Sequence, residues 1–440
     1  MPATRSASRT LKPRRTGCQN CRKRRIKCDE KGPCGYCSRR NLDCKRPNFI
    51  VAEVWSNQST NATVDKGSVH NAPVLSENQP SSVITVHPHS TPSDILTAET
   101  VGLLKIYQKG IGIWMDIFDR SQTYQNEVVK YSMDFPLLMH AICALSARQM
   151  SLSQAKFVWE PIASRFYGES LRLLIRELSN QDTQRDLLLA ATILLGSYEL
   201  LEQPGIDYQR HLYGANTLIQ THDIRHKSTP LDHASFWIYA RQDVALALGN
   251  ERPTLTPPDQ WPIPSSNESD PVEDHFGKRM LWLLARVVDV RFSETGLSNE
   301  SSSAKRTALE SLVSEIDLLW TALPSHVRGA YLNHKTSKEE DLSSVWFCAP
   351  SAAAGCLYYH MAKIIAYQCL LEVSGPTPVP PSEDSESLGR IRHHAYAIAS
   401  ICLSSDLVDG ALVVAVNPIF YAAKYIPSLA VKTRLWGILD

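Results

Sequence analysis

Residues 17–47 read GCQNCRKRRIKCDEKGPCGYCSRRNLDCKRP, and six cysteines organise them: Cys18, Cys21, Cys28, Cys34, Cys37 and Cys44. Their spacing is C-x2-C-x6-C, five intervening residues, then C-x2-C-x6-C again, so one half-motif occurs twice. In a reducing compartment such density points to metal, and soft thiolates favour zinc. A C-x2-C pair at the start of a helix puts two sulfurs on one side of one turn, and the third returns after the helix. Three cysteines per half do not complete a tetrahedron. Two zinc ions need eight ligand positions, which six thiolates fill when two sulfurs bridge both metals. The internal repeat places the bridges at equivalent positions, and Cys18 and Cys34, first in each half, are the natural candidates. Two Zn²⁺ with six thiolates carry a net −2, which nearby Lys and Arg help to balance. A secreted disulfide knot and two independent zinc sites are the competing readings. The first needs a secretory leader, and the second needs further ligands, although no histidine lies in residues 1–69.

Charge separates this segment from the rest. Residues 1–50 hold 15 Lys or Arg against Asp29, Glu30 and Asp43, a net +12, while the other 390 residues carry −11. A basic head on an acidic body suggests that the head binds a polyanion. The basic N-terminus is followed by no apolar run and has no amphipathic face, so neither a secretory leader nor a transit peptide is expected. The longest uncharged apolar stretches, Leu187 to Tyr198 and Gly410 to Ala423, fall short of the roughly 20 residues of a spanning helix. These features predict a soluble intracellular protein with no membrane partner.

The two halves of the cysteine motif differ between their ligands. Arg22, Lys23, Arg24, Arg25, Ile26 and Lys27 fill the first x6 interval, whereas Ser38, Arg39, Arg40, Asn41, Leu42 and Asp43 fill the second. A short helix carrying the first set fits the major groove of double-stranded DNA, where Arg or Lys donates to guanine O6 and N7. Neighbouring cations hold phosphates and supply affinity without sequence information. Arg14 and Arg15, with Lys12, serve either as further phosphate contacts or as a nuclear import signal, and a basic run of this kind suits both. Single-stranded RNA is the poorer partner, since Tyr36 is the one aromatic residue within the cysteine span.

Residues 17–47 thereby resemble the fungal binuclear zinc cluster family of transcription factors, matching in every cysteine, in the basic block and in the loop proline, Pro33. The resemblance implies two Zn²⁺ per chain and bridging by Cys18 and Cys34. It also implies base reading by Arg24 and Arg25 at the end of the first helix, commonly on CGG-type triplets. The family's prototype carries lysines at those two positions. Arg is a planar bidentate donor, so the triplet preference is expected to persist. Two later segments, HLYGANTLI (His211 to Ile219) and FWIYARQDVALAL (Phe236 to Leu248), resemble a subfamily that joins such a cluster to a helical regulatory domain.

Four regions follow: a disordered basic arm at 1–16, the zinc module at 17–47, a flexible linker at 48–95 and an all-α domain at 96–440. The linker is rich in Ser, Thr, Asn and Pro and shows no heptad pattern after Cys44, so the coiled coil that many relatives use to pair clusters is not expected. The protein then binds one triplet or forms a homodimer through its helical domain. In that domain apolar residues recur at helical spacing over 134–151, 163–178, 186–202, 207–221, 233–249, 276–294, 306–322, 352–373 and 390–404, predicting ten to twelve helices and no convincing strands. Arg241 and Asp243 either lock neighbouring helices or line an effector pocket, the former being the commoner use of buried charge. Cys356 and His360, at i and i+4, form half of a metal site at most, and a buried thiol beside an ordinary histidine is the plainer reading. His393 and His394 take the same default.

Nucleophile-elbow, phosphate-loop, dinucleotide, zincin and deaminase signatures are all missing. A six-thiolate cluster is also coordinatively closed, with no open position for a substrate. The expectation is a nuclear, non-enzymatic regulator whose helical body answers to a small-molecule effector or a coactivator. A scaffold or corepressor that uses the zinc module only for structure is the alternative.

Overall fold

Thr97 and Thr229 each close a capping box, bonding to the backbone of the third residue on (Thr100 and Asp232) and receiving a side-chain bond in return. Such caps satisfy two orphan donors and fix where a helix begins. Pro136 and Pro350 are the first residues of two further long helices, and Pro230 of the one that Thr229 caps, positions where the missing N–H costs nothing. These signals set the frame of the computed structural model. It describes residues 34–40 and, from 96 to 439, all but 154–155, 181, 203–208, 222–228, 263–270, 294–298, 333–341, 374–385 and 405–408. The chain divides into two compact units, Met1–Thr85 and Val86–Asp440.

In the first unit one helix is described, α1 (Gly35–Arg39). In the second unit come α2 (Ala98–Lys109), α3 (Ile111–Met115), a π-helical turn at Thr123–Glu127, α4 (Val128–Tyr131), α5 (Pro136–Ser153), α6 (Lys156–Leu178), α7 (Arg185–Glu202), α8 (Gln209–Thr221) and α9 (Pro230–Asn250). After a 3-10 turn at Pro258–Gln260 follow α10 (Val272–Phe292), α11 (Asn299–Ala322), α12 (Ser325–Arg328), α13 (Pro350–Val373), α14 (Glu386–Cys402), α15 (Asp409–Ala423) and α16 (Leu429–Trp436). Twelve of these body helices have eight residues or more. The expected number of helices is therefore met among the described residues.

α5 packs on α2, α6 and α7, and α7 on α8 and α9, while α13 packs on α10, α11, α14 and α15. The α9–α10 contact joins the two groups. α13 is buried on every side from Ser351 to Ala366, as a helix apolar all round should be. Small residues let α10 approach it closely. A Cβ on Gly355 would lie 2.6 Å from the Phe276 ring and 3.3 Å from the Gly277 Cα. Gly355→Val is expected to cost about 3 kcal/mol by overpacking this crossing. Gly102→Ala in α2, with open space around it, is expected to be neutral or stabilising by about 1 kcal/mol. Urea unfolding of the two variants checks both, and equal midpoints would disprove the close-approach account.

Two departures from the sequence reading are physical. α6 begins at Lys156 and α11 at Asn299, a full seven residues ahead of the periodic apolar stripe in each case. The added turns of α6 lie at the surface, with Phe157 92% exposed, so periodicity of buried residues does not register them. The second departure is an antiparallel ribbon of β1 (Ala330–Leu332) and β2 (Ser344–Trp346), in register Ala330↔Trp346, Tyr331↔Val345 and Leu332↔Ser344. Three residues per strand are too few for alternation to be read. The ribbon is tied down where Val345 N donates to Ser404 Oγ at 2.7 Å.

Candidate metal centre and the buried polar sites of the helical body

Cys34 is the N-cap of α1, with extended backbone (φ −70, ψ 150), and its Sγ accepts the N–H of Cys37 at 3.4 Å. Ser38 N donates to the Cys34 carbonyl at 2.9 Å, closing the turn. Both cysteines are fully buried and neither is in a disulfide. Two sulfurs are thus gathered on one helical turn, as the C-x2-C spacing predicts. A sulfur accepting an N–H at a helix start is in a setting that favours thiolate. That is the donor chemistry zinc takes, so the residues present fit the metal. Behind them, the Arg40 guanidinium lies 5.4 Å from the Tyr36 ring centroid. Cys18, Cys21, Cys28, Cys44, Arg14, Arg15, Arg22, Lys23, Arg24, Arg25 and Lys27 lie outside the described residues.

In the helical body, Arg241 and Asp243 serve different neighbours. Arg241 on α9 donates to the carbonyls of Trp114 at 3.2 Å and Met115 at 2.8 Å, filling acceptors at the end of α3. Asp243 accepts the N–H groups of Leu255 at 2.9 Å and Thr256 at 3.0 Å and the Tyr239 hydroxyl at 3.2 Å. Burial pushes its carboxyl up to about 6, and the two backbone N–H bonds oppose the rise. Both residues therefore lock segments together, the commoner use expected of them. Arg241 also reaches the wall of a cleft, so the second use is not lost.

Cys356 and His360 do not meet as a metal half-site. The Cys356 thiol turns to the Val327 carbonyl at 3.5 Å, and His360 Nδ1 lies 2.9 Å from His394 Nδ1. Among the described residues no group of three His, Cys, Asp or Glu side chains is placed to hold a metal. The plain reading of Cys356 holds, whereas the pairing of His360 with His394 across α13 and α14 was not visible in the sequence. Thirty-four positions separate the two, and nothing local signals the contact. Lys278 and Phe118, which line the cleft that Arg241 reaches, carry no sequence signal for the same reason.

No helix among the described residues is long and apolar enough to cross a membrane. The six-cysteine segment, the capped sulfur turn and the helical body together define a zinc-cluster DNA-binding regulator. Residues 16–50 match the fungal Zn(2)-Cys(6) binuclear cluster domain, and residues 102–423 match the fungal specific transcription factor domain. The chain belongs to the fungal-specific transcription factor family, and its N-terminal domain binds two zinc ions. No curated protein and no solved structure matches it.

Proposed function

We propose that this regulator reads CGG-type triplets in the promoters of RNA polymerase II genes, from the nucleus, as a pathway-specific regulator of metabolism or of secondary metabolite genes. The asymmetry of the cysteine repeat carries this reading. Five cations, Arg22, Lys23, Arg24, Arg25 and Lys27, occupy one x6 interval, while the equivalent interval of the other half holds two, Arg39 and Arg40, and the acid Asp43. Metal chemistry is shared by the halves and base reading falls to the first. Cys18 and Cys34 bridge the two zinc ions in this scheme, with Cys21, Cys28, Cys37 and Cys44 terminal. Arg14 and Arg15 add phosphate contacts. The linker at 48–95 tethers the cluster to a non-enzymatic helical domain, which pairs with a second copy or receives a coactivator or an effector.

Arg25→Ala is expected to flatten preference at one guanine of the selected site by about 1–3 kcal/mol, the worth of one bidentate contact. Selection of random DNA by the wild-type chain and the variant measures this. A uniform loss over all sequences, steepened or relieved only by salt, would make Arg25 a phosphate contact instead. The same selection returns one triplet or two, which separates a monomer from a dimer.

A further inference from the structure

α15 presents two unlike faces. Ala411, Ala415, Ile419 and Ala422 are buried where the helix packs on α13 and α14. On the opposite side Val413, Val416 and Phe420 stand 44%, 50% and 51% exposed. They are spaced three and four residues apart, so they form one stripe along the helix. A surface helix ordinarily turns charged or polar residues to water. From Gly410 to Ala423 this one carries no charged residue. Exposed apolar residues scattered singly need no explanation, but three in register on an uncharged helix mark a contact surface. α16, which packs on α15, exposes Leu429 and Trp436 as well, so the apolar surface is not limited to one helix.

The stripe is also symmetric along the chain. Val413 and Phe420 lie equally far from the midpoint between Val416 and Asn417. The two ends are equally far from it too, and opposite in charge. Asp409 is the first residue of the helix, and Lys424 follows its last, with Nζ 4.6 Å from the Phe420 ring centroid. A second copy of the helix can be laid antiparallel about a two-fold axis through that midpoint. Val413 then meets Phe420, Val416 comes beside its own equivalent, and Lys424 falls opposite the acidic position 409. Asn417, half-buried next to the axis, carries an amide that both donates and accepts, so it can pair with its own copy. A two-fold contact requires this self-complementarity of one patch, whereas an unrelated apolar partner does not.

We propose that α15 is the dimer contact of this protein, two copies packing their Val413, Val416 and Phe420 stripes antiparallel about a two-fold axis. The proposal rests on the helical domain being the part that pairs, and it names the surface that does so. The sequence after Cys44 shows no heptad pattern to pair the zinc clusters in its place.

The test is analytical ultracentrifugation of the full zinc-loaded chain, without DNA. A dimer is expected at micromolar concentration. Val416→Glu and Val416→Lys should each weaken it by at least about tenfold, because each sets like charges together at the axis. Val416 is half-exposed, so folding is not at stake in either variant. An equimolar mixture of the two variants should recover the dimer, since opposite charges then meet. A wild-type chain that stays monomeric throughout the micromolar range would overturn pairing through the helical domain, and this contact with it. A dimer indifferent to both substitutions would overturn the contact alone and leave pairing to another surface. Weakening that mixing does not rescue would overturn the antiparallel two-fold arrangement. Since no DNA is present, failure of triplet reading by Arg25 would leave these results as they are.

Discussion

Removing zinc with a strong chelator is expected to abolish DNA binding and to unfold residues 17–47, while the helical body keeps its own unfolding transition. The five-residue helix α1 is far below the length at which a helix persists alone. A segment of about thirty residues also buries too little apolar surface to fold without a staple. Cys34 and Cys37, the buried residues described in this unit, bring sulfur donors rather than a hydrocarbon core. Structural zinc contributes about 10–16 kcal/mol of apparent binding energy in small modules of this sort, so its loss has no local compensation. The helical body differs because its core is aliphatic and aromatic, from Leu103 through Phe276 to Leu435. Fluorescence anisotropy on a labelled duplex should fall to its free value with chelator and recover on adding zinc. Circular dichroism melting should show the body's transition unmoved. Native mass spectrometry before chelation should count two zinc ions. Retention of DNA binding at full chelation, or a count of one or four, would sink the shared-thiolate cluster.

How far the sequence spoke depended on how local each feature is. The cysteine repeat is local: ligand number, spacing and charge between ligands lie within 27 consecutive residues, so zinc and a DNA-reading half follow without a fold. The N-cap sulfur of Cys34 was implied by C-x2-C alone. Helices with one buried stripe, such as α8, were also legible, its ends misplaced by two residues or fewer, and α9 and α10, buried over most of their surface, were placed to within four residues. α15 was noticed only as an uncharged stretch, because apolar residues cover it too evenly to show a period. The ribbon, the cleft and the histidine pair were silent. Each is assembled from segments tens of residues apart, and packing alone decides which side chains meet.

The histidine pair has a consequence for stability in acid. Replacing His360 and His394 together by Gln is expected to flatten the acid loss of stability by a slope that grows below pH 6.5 and approaches about 2.7 kcal/mol per pH unit near pH 5. Burial, then the charge of His394 and His393, holds His360 well below the ordinary imidazole range. Burial, then His393 and Lys363, brings His394 down to about 3. Lys363 on α13 is itself buried and held by Asp317 of α11 at 2.7 Å, while Tyr359, Tyr367 and Trp320 pack around the imidazoles. Burial removes the water that would solvate a charged imidazole, and the Lys363 ammonium repels it. His360 Nε2 has no partner, and a bare acceptor is the lesser cost. On that ground His360 carries its proton on Nδ1 and donates to His394 Nδ1. Both rings are thus neutral in the native state and titrate near 6.5 when unfolded. Their contribution is fully present above pH 6.5 and is lost progressively as pH falls toward 3, because the unfolded chain gains protons that the native state refuses. Other groups pull both ways. His211, brought down to about 4 by burial, adds to the loss. Asp116 and Asp243, raised by burial to about 7 and 6, bind protons more readily when folded and oppose it. All three are common to both proteins, so the difference in slope between wild type and variant isolates the pair. Urea midpoints at pH 7.0, 6.0 and 5.0 measure it, and parallel slopes would mean that one or both imidazoles are charged in the folded core.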